Sequence, residues 1–539
     1  MSDWYKYLQI ERDAQEDRLD RERVDTVLFW GLASIIVIVP LIVRLHIADF
    51  IGPTITQTTV LDTGPKADVF TYYKSMFLLC MTVLLTLLFL YKVFVLHETI
   101  PKTNIYIGLA VLAVCLTLSA VFAPYKTLAL YGMHDRHEGT LTYLCYVMLC
   151  FIAANIRCTM NRIRWFVYSL YPFVLINAAL GVVNFFGYDV LKVSWIQRLL
   201  YSSLPEGAKI AEGSRFLATI NHGNYVSGIS ACLIVLFSTL AILEGRLWQK
   251  FTHGFFASLS FALLLSSLSS NGFVTIVLMS PVLVYIMMRT RQKKQALLSI
   301  ASLLFAFSAI YIPFVKHDSR VWDETIGFFV GRNPFQLHHE QAAAWQGAAK
   351  NLKQMATDIA ETMVSGSSAY AAEPEYKLPE LPGPGIAPGS GRAFIWKKAI
   401  ELIGQKPFFG YGLDTFPYFF NQDDPEKNAN LGEGYSVIVD KPHNMYIGLA
   451  FGAGLLALIA FLVIIGSWLI DITRSVRMHL HVYPFALSLG LIAYLIQGLF
   501  NDSIVGTAVF FWIGLGLSVS FIMHQNQTIK KEQGYERIS

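Results

Sequence analysis

Twelve apolar runs, each near the roughly 20 residues that carry a helix across a bilayer, constrain this chain more than any motif in it. They centre on residues 26–45, 75–96, 104–123, 140–156, 165–186, 223–243, 252–270, 272–288, 297–315, 446–470, 482–500 and 504–523. In hydrocarbon a single segment satisfies its own backbone polar groups only as a helix. The pattern therefore predicts an all-α, polytopic integral membrane protein with about 12 transmembrane helices. Composition agrees, because 15% of the residues are charged where soluble proteins average about a quarter, and mean hydropathy is +0.47.

Charge reports topology here. The short loops "RCTMNRIR", "RTRQKKQ" and "DITRSVR" and the tail "KKEQGYER" all fall on the side of the N-terminus, so the positive-inside rule predicts that both termini are cytoplasmic. A net charge of +4 with its basic residues scattered between apolar runs gives no reason to expect a nucleic-acid partner. The six cysteines show neither CxxC nor Cys/His spacing, so neither a disulfide framework nor a metal site is expected. The first 25 residues are charged and lack the apolar core of a signal peptide. The expected organisation is a cytoplasmic arm (1–25), a bundle of about nine spans (26–315), a large extracytoplasmic loop (316–442), about three further spans (443–523) and a cytoplasmic tail (524–539).

The loop is long enough to demand a function. Within it, residues 340–363 place Trp345, Leu352, Met355 and Ile359 at helical spacing. The stretch "PEYKLPELPGPGIAPGSGR" then has the proline and glycine content of an extended linker. "GRAFIWKKAIELIGQKP" resumes a helix, with Arg392, Ile395, Trp396, Ala399, Ile400 and Ile403 on one face and Pro407 ending it. An arginine opening an apolar stripe calls for an anionic partner.

Arg392 with Trp396, "KPFFGYGLDTF" (406–416), "KPHNMYIGLAFGAGLLALI" and "AYLIQGLFNDSIVGTAVFFWIGLGL" follow one another in an order that resembles the O-antigen ligase and polymerase superfamily. Upstream, "DVFTYYKSMFLL", "LALYGMHDRHEGTLTYL", "FFGYD" and "SRFLATINHGNYVSG" resemble further patches of that family, so the resemblance covers about residues 68 to 520. One departure stands out: where many members carry T-x-S-R, this chain has "SLSSNG" (267–272) without arginine.

The resemblance implies a membrane glycosyltransferase of GT-C-like architecture in a bacterial cell membrane. It would move a glycan from an undecaprenyl-diphosphate carrier to a saccharide acceptor on the outer face, without cofactor, nucleotide sugar or metal, alongside the bilayer and polysaccharide assembly proteins. Polymerisation and ligation are both open, as are O-antigen-like polymers, teichuronic acid, exopolysaccharide and protein hydroxyls as products or acceptors. Such a site needs permanent positive charge on the diphosphate and a base for the acceptor hydroxyl. His443 matches the base and Asn444 a group that orients it or a substrate hydroxyl, although a residue here also suits a helix cap. Arg215 and Arg392 match diphosphate ligands. Lys74 and Arg136 extend the positive funnel or anchor at the interface, and Asn224 either touches sugar or caps its helix.

Other features carry less. "GYGLDTF" fits a plain turn better than an anion nest, and His338, His339 and Glu340 lack further ligands at metal spacing. A transporter or flippase of a lipid-linked saccharide or polar solute is the alternative of a different class. It calls for internal repeats and mid-membrane polar sites, whereas the conspicuous polar groups of this chain lie outside the spans.

Overall fold

The computed structural model describes residues 14–56, 60–188, 190–202, 218–220, 222–290, 292–331, 333–334, 391–431, 438–478 and 481–536. Nearly all of the apolar pattern is helical. Helix α1 (Ala14–Leu41) leads into a two-stranded antiparallel hairpin, β1 (His46–Phe50) and β2 (Gly64–Asp68), that the apolar pattern does not announce. Then come α2 (Tyr72–Phe94), α3 (Asn104–Phe122), the short α4 (Lys126–Tyr131), α5 (Thr140–Ala154), α6 (Met160–Tyr168), α7 (Tyr171–Phe185) and α8 (Ser194–Leu200). The middle of the bundle is α9 (Gly223–Leu243), α10 (Leu247–Ser266), α11 (Ser270–Arg289) and α12 (Lys293–His317), followed by the short α13 (Arg320–Asp323) and α14 (Gly327–Val330). The C-terminal part holds α15 (Arg392–Gln405), α16 (Pro425–Leu431), α17 (Met445–Ala453), α18 (Leu455–Met478), α19 (Val482–Gln497) and α20 (Val505–Glu536).

Among the described residues, eight helical stretches are long and apolar enough to cross a membrane, and there are three shorter apolar helices, Thr140–Ala154, Ser270–Ile286 and Val482–Gln497. Helices α9 and α20 are buried almost throughout their spanning windows, so they form the centre. Small residues explain their depth: a Cβ at Gly228 of α9 would run into Gln497, and one at Gly516 of α20 would run into the backbone of Cys150. Close backbone approach through glycine is a common way for helices to associate in lipid. The periphery is the reverse, since α2 turns Val83, Leu84 and Leu87 outward, as a lipid-facing surface requires.

The two ends of the bundle differ. One carries Lys92 and Arg162 beside buried Asp25, whose carboxylate meets Lys92 Nζ at 2.7 Å, with Arg21 paired to Glu98 and Arg157 to Glu22. The other carries the β-hairpin, the 132–139 loop, the start of α9, the segments 391–431 and 438–444 and the turn 498–504 between α19 and α20. The expected surface helix at 340–363, the proline-rich linker and the His338–Glu340 cluster lie outside the described residues. In α15 the buried stripe is Ile395, Ala399 and Ile403, joined by Phe394. Ile400, expected on that face, is instead exposed.

Candidate functional site

The glycines of "KPFFGYGLDTF" meet a broken helix. Helices α17 and α18 are separated by Gly454, whose φ of +86° no helix interior permits. The gap is filled by the 407–412 turn: Leu455 N donates to Pro407 O at 2.7 Å, Tyr411 N to Phe451 O at 2.9 Å and Gly412 N to Gly452 O at 2.9 Å. Gly410 and Gly412 also have positive φ, and a Cβ at Gly410 would strike the Phe451 and Gly452 carbonyls. The motif is thus a turn docked on exposed helix backbone, which satisfies groups that a buried break would leave orphaned. Its consequence lies two residues on, at Asp414.

Asp414 reaches across the chain to the 132–139 loop. Its Oδ2 accepts from Met133 N at 2.6 Å and its Oδ1 from Arg136 Nε at 2.7 Å. Arg136 Nη1 donates to Asp440 at 2.7 Å. Arg136 is almost fully buried; burial opposes its charge, but Asp414, Asp135 and Asp440 together hold it above its ordinary value. Nη2 alone has no hydrogen-bond partner among the described residues. Arg136 is therefore largely neutralised by carboxylates and ties the loop to the segment that leads into His443.

His443 sits at the end of that segment with φ +52°, a left-handed conformation uncommon for a non-glycine residue and often held at functional sites. Its Nδ1 lies 3.2 Å from Asp502 Oδ2. The ring is partly exposed while the Asp502 carboxylate is mostly covered. Burial would raise that carboxyl, but His443, Lys441 and Arg136 outweigh it and hold Asp502 below the usual carboxylate range. With Nδ1 turned to Asp502, Nε2 is the nitrogen left for another molecule.

Asn444 has a different task. Its Oδ1 accepts from Tyr446 N and Ile447 N, both at 3.0 Å, and its Nδ2 donates to Leu499 O at 3.0 Å. It is the N-cap of α17, and together with Met445 N donating to Gly498 O at 2.8 Å it fastens the helix start to the 498–502 turn. Asp502, rather than Asn444, is the side chain against the imidazole. Trp396 Nε1 of α15 donates to Pro442 O at 2.8 Å, which braces the same approach from the other side.

Arg392 opens α15 beside these groups. Its Nη1 donates to Asn271 Oδ1 at 3.1 Å, and Asn271 Nδ2 donates to Asn501 Oδ1 at 3.1 Å. The segment "SLSSNG" thus supplies an amide that holds Arg392. Asn224 joins the same group: its Oδ1 accepts from Ser269 Oγ at 2.8 Å and its carbonyl from Asn501 Nδ2 at 3.1 Å. Burial lowers the Arg392 guanidinium, opposed chiefly by Asp502. His222, the N-cap of α9, is lowered by burial, then by His443, and further by Lys441 and Arg392 against Asp440. Positive charge is concentrated on this spot.

A small cavity of about 50 Å³ is lined by Glu138, Asp414, Asp440, Lys441 and Asp502. Lys441 is buried, with Nζ 3.4 Å from Tyr225 Oη. Glu138 is buried and takes a hydrogen bond from Tyr146 Oη at 3.1 Å. Burial pushes its carboxyl up to about 8, with Lys441 opposing and Asp414 adding. At neutral pH it is a mostly protonated acid.

Of the residues expected from the sequence, His443, Arg392, Asn224 and Asn444 are gathered around Asp502 and Asn271, and Arg136 forms the adjoining wall. Lys74 is buried rather than exposed in a funnel; its Nζ donates to Thr219 O at 2.5 Å, behind the start of α9. Arg215 lies outside the described residues. Asp502, Asp414, Asp440, Lys441 and Glu138 were not expected. Asp502 had a legible signal, a carboxylate in "LFNDSIV" between two spans, while the others had none beyond their motifs.

Residues 255–462 match the family model described as O-Antigen ligase. This stretch runs from α10 through the segment 391–444 into α18, and so contains Asn271, Arg392, Asp414, Lys441 and His443. No curated protein matches the chain.

Proposed function

From an O-antigen ligase domain set in a polytopic helical bundle, we propose that the protein transfers a glycan from an undecaprenyl-diphosphate carrier to an acceptor hydroxyl on the outer side of the membrane. It acts as a polymerase, or secondarily a ligase, of a surface polysaccharide. The observation that carries this is the pairing of His443 with Asp502 beside the cationic groups of Arg392 and buried Lys441.

Arg392, Arg215 and Lys441 bind the diphosphate, whose charge grows as the sugar leaves. Arg392 offers a fork to phosphate oxygens, and its bond to Asn271 fixes its direction. His443 Nε2 takes the acceptor proton as the oxygen attacks the anomeric carbon. The bond from that carbon to the phosphate oxygen breaks, undecaprenyl diphosphate departs and the configuration inverts. Asp502 holds the ring and stabilises the imidazolium that forms, as an acidic partner does for a histidine base elsewhere. Arg136, Asp414 and Asn444 position these groups.

The test is a reconstitution with purified protein and lipid-diphosphate oligosaccharide extracted from the source cell. Longer or transferred glycan with an inverted new linkage, together with release of undecaprenyl diphosphate, is expected. A retained configuration contradicts direct displacement, and transbilayer movement of intact donor without bond exchange contradicts the transferase.

A further inference from the structure

A second, larger cavity lies on the opposite face of the 132–139 loop. It measures about 500 Å³ and is enclosed by the β1–β2 hairpin, the first turn of α2 and helix α4. Its walls are rings: His46 stacks on Tyr72 with centroids 3.5 Å apart and planes 7° from parallel, Phe50 packs against His134 at 4.9 Å, and Tyr125 and Tyr131 line α4. Set among them are the charged side chains Asp49, Lys66 and Lys126.

The loop has two faces. His134 and His137 turn to this cavity, while Glu138 lines the small cleft together with Asp414 and Asp440, the two carboxylates that Arg136 bonds. Anything held in the larger cavity is therefore one loop's thickness from the groups assigned to the reaction. His137 Nδ1 is 3.0 Å from Thr71 Oγ1, and His134 Nδ1 has no hydrogen-bond partner among the described residues. Burial lowers both imidazoles, so each presents one donor and one acceptor at neutral pH.

The wall chemistry selects an occupant. A polyprenyl chain offers only apolar surface and leaves the covered Nδ1 of His134 without a hydrogen bond. A lone phosphate gains nothing from stacked rings and meets an aspartate. A saccharide presents apolar C–H faces to rings and hydroxyls, both donor and acceptor, to imidazole, carboxylate and ammonium. We propose that this cavity is a saccharide-binding subsite that holds part of the glycan chain on the far side of the 132–139 loop from the groups assigned to the reaction. The proposal rests on the transferase reading for its place in a reaction, but saccharide binding can be read without turnover.

The experiment titrates purified His443→Ala protein in detergent with free oligosaccharide repeat units prepared from the surface polysaccharide of the source cell, by calorimetry and saturation-transfer NMR. Tyr131 is exposed at the rim, so Tyr131→Ala keeps the fold; with Phe50→Ala it is expected to weaken binding about tenfold, while Tyr131→Phe preserves it. In otherwise wild-type protein the same two alanine variants raise KM with kcat kept. A rise for lipid-linked donor assigns the subsite to the donor chain, and a rise for acceptor assigns it to the acceptor chain. Binding without any transfer by wild-type protein supports the subsite and overturns the transferase instead. No saccharide binding, binding unchanged in both alanine variants, or displacement by undecaprenyl phosphate that carries no sugar overturns the subsite.

Discussion

Asp502, in the turn between the last two helices, stands 3.2 Å from the imidazole of His443, 59 residues earlier in the chain and on the far side of a helical hairpin. A mostly covered carboxylate against a partly exposed imidazole is the arrangement of an oriented base. Asp502→Asn keeps the shape and removes the charge, so it is expected to lower kcat by about tenfold or more with little change in KM. Steady-state transfer assays check this, and an unchanged kcat would separate Asp502 from the chemistry.

Asn444 neighbours His443 in sequence yet works on the backbone of α17. Losing an N-cap costs about 1 kcal/mol. Asn444→Ala is therefore expected to lower thermal stability by that order and activity modestly, with Asn444→Ser, which can still cap, recovering most of both. Loss of turnover in the serine variant at undiminished stability would mean that the amide touches substrate.

Arg136 is clamped between Asp414 and Asp440. Removing one member of a buried ion pair leaves the other uncompensated and costs about 3–5 kcal/mol. Arg136→Met and Asp414→Asn should each destabilise strongly, and the double variant should fall well short of their sum. A denaturation double-mutant cycle reads the coupling; simple additivity would contradict the clamp.

Much of the fold was legible. Nearly all of the apolar pattern became helix, because a segment in lipid has little alternative. The break at Gly454 was not, since "GLAFGAGLLALI" is apolar on both sides of the break and only the docking of Pro407 to Gly412 explains it. The hairpin at His46–Asp68 was equally silent. In the site, His443 and Arg392 stood out through their motifs, whereas Asp414 and Lys441 look like ordinary loop charges until the chain brings them against Arg136 and Glu138. Nothing in "SLSSNG" announces that the Asn271 amide grips Arg392, 121 residues later in the chain.

Glu138 gives the pH dependence. Its carboxyl is raised to about 8 in the folded protein against about 4.3 for a free glutamate. The folded state therefore holds a proton that the unfolded chain releases, so this group's contribution is full below the unfolded value. It is lost as pH rises through about 8. Glu138→Gln cannot ionise and should melt like wild type at acid pH but increasingly above it toward alkaline pH. Melting curves of the two that stay parallel across this range would contradict a buried, protonated Glu138.

The most direct measurement compares purified wild-type and His443→Ala protein for transfer from lipid-diphosphate oligosaccharide, with donor binding measured on the same samples. A general base contributes about 10²–10⁴-fold, so turnover is predicted to fall by well over tenfold while donor still binds. Unchanged turnover with intact binding would return His443 to the role of a residue at a helix start and contradict the mechanism built on it.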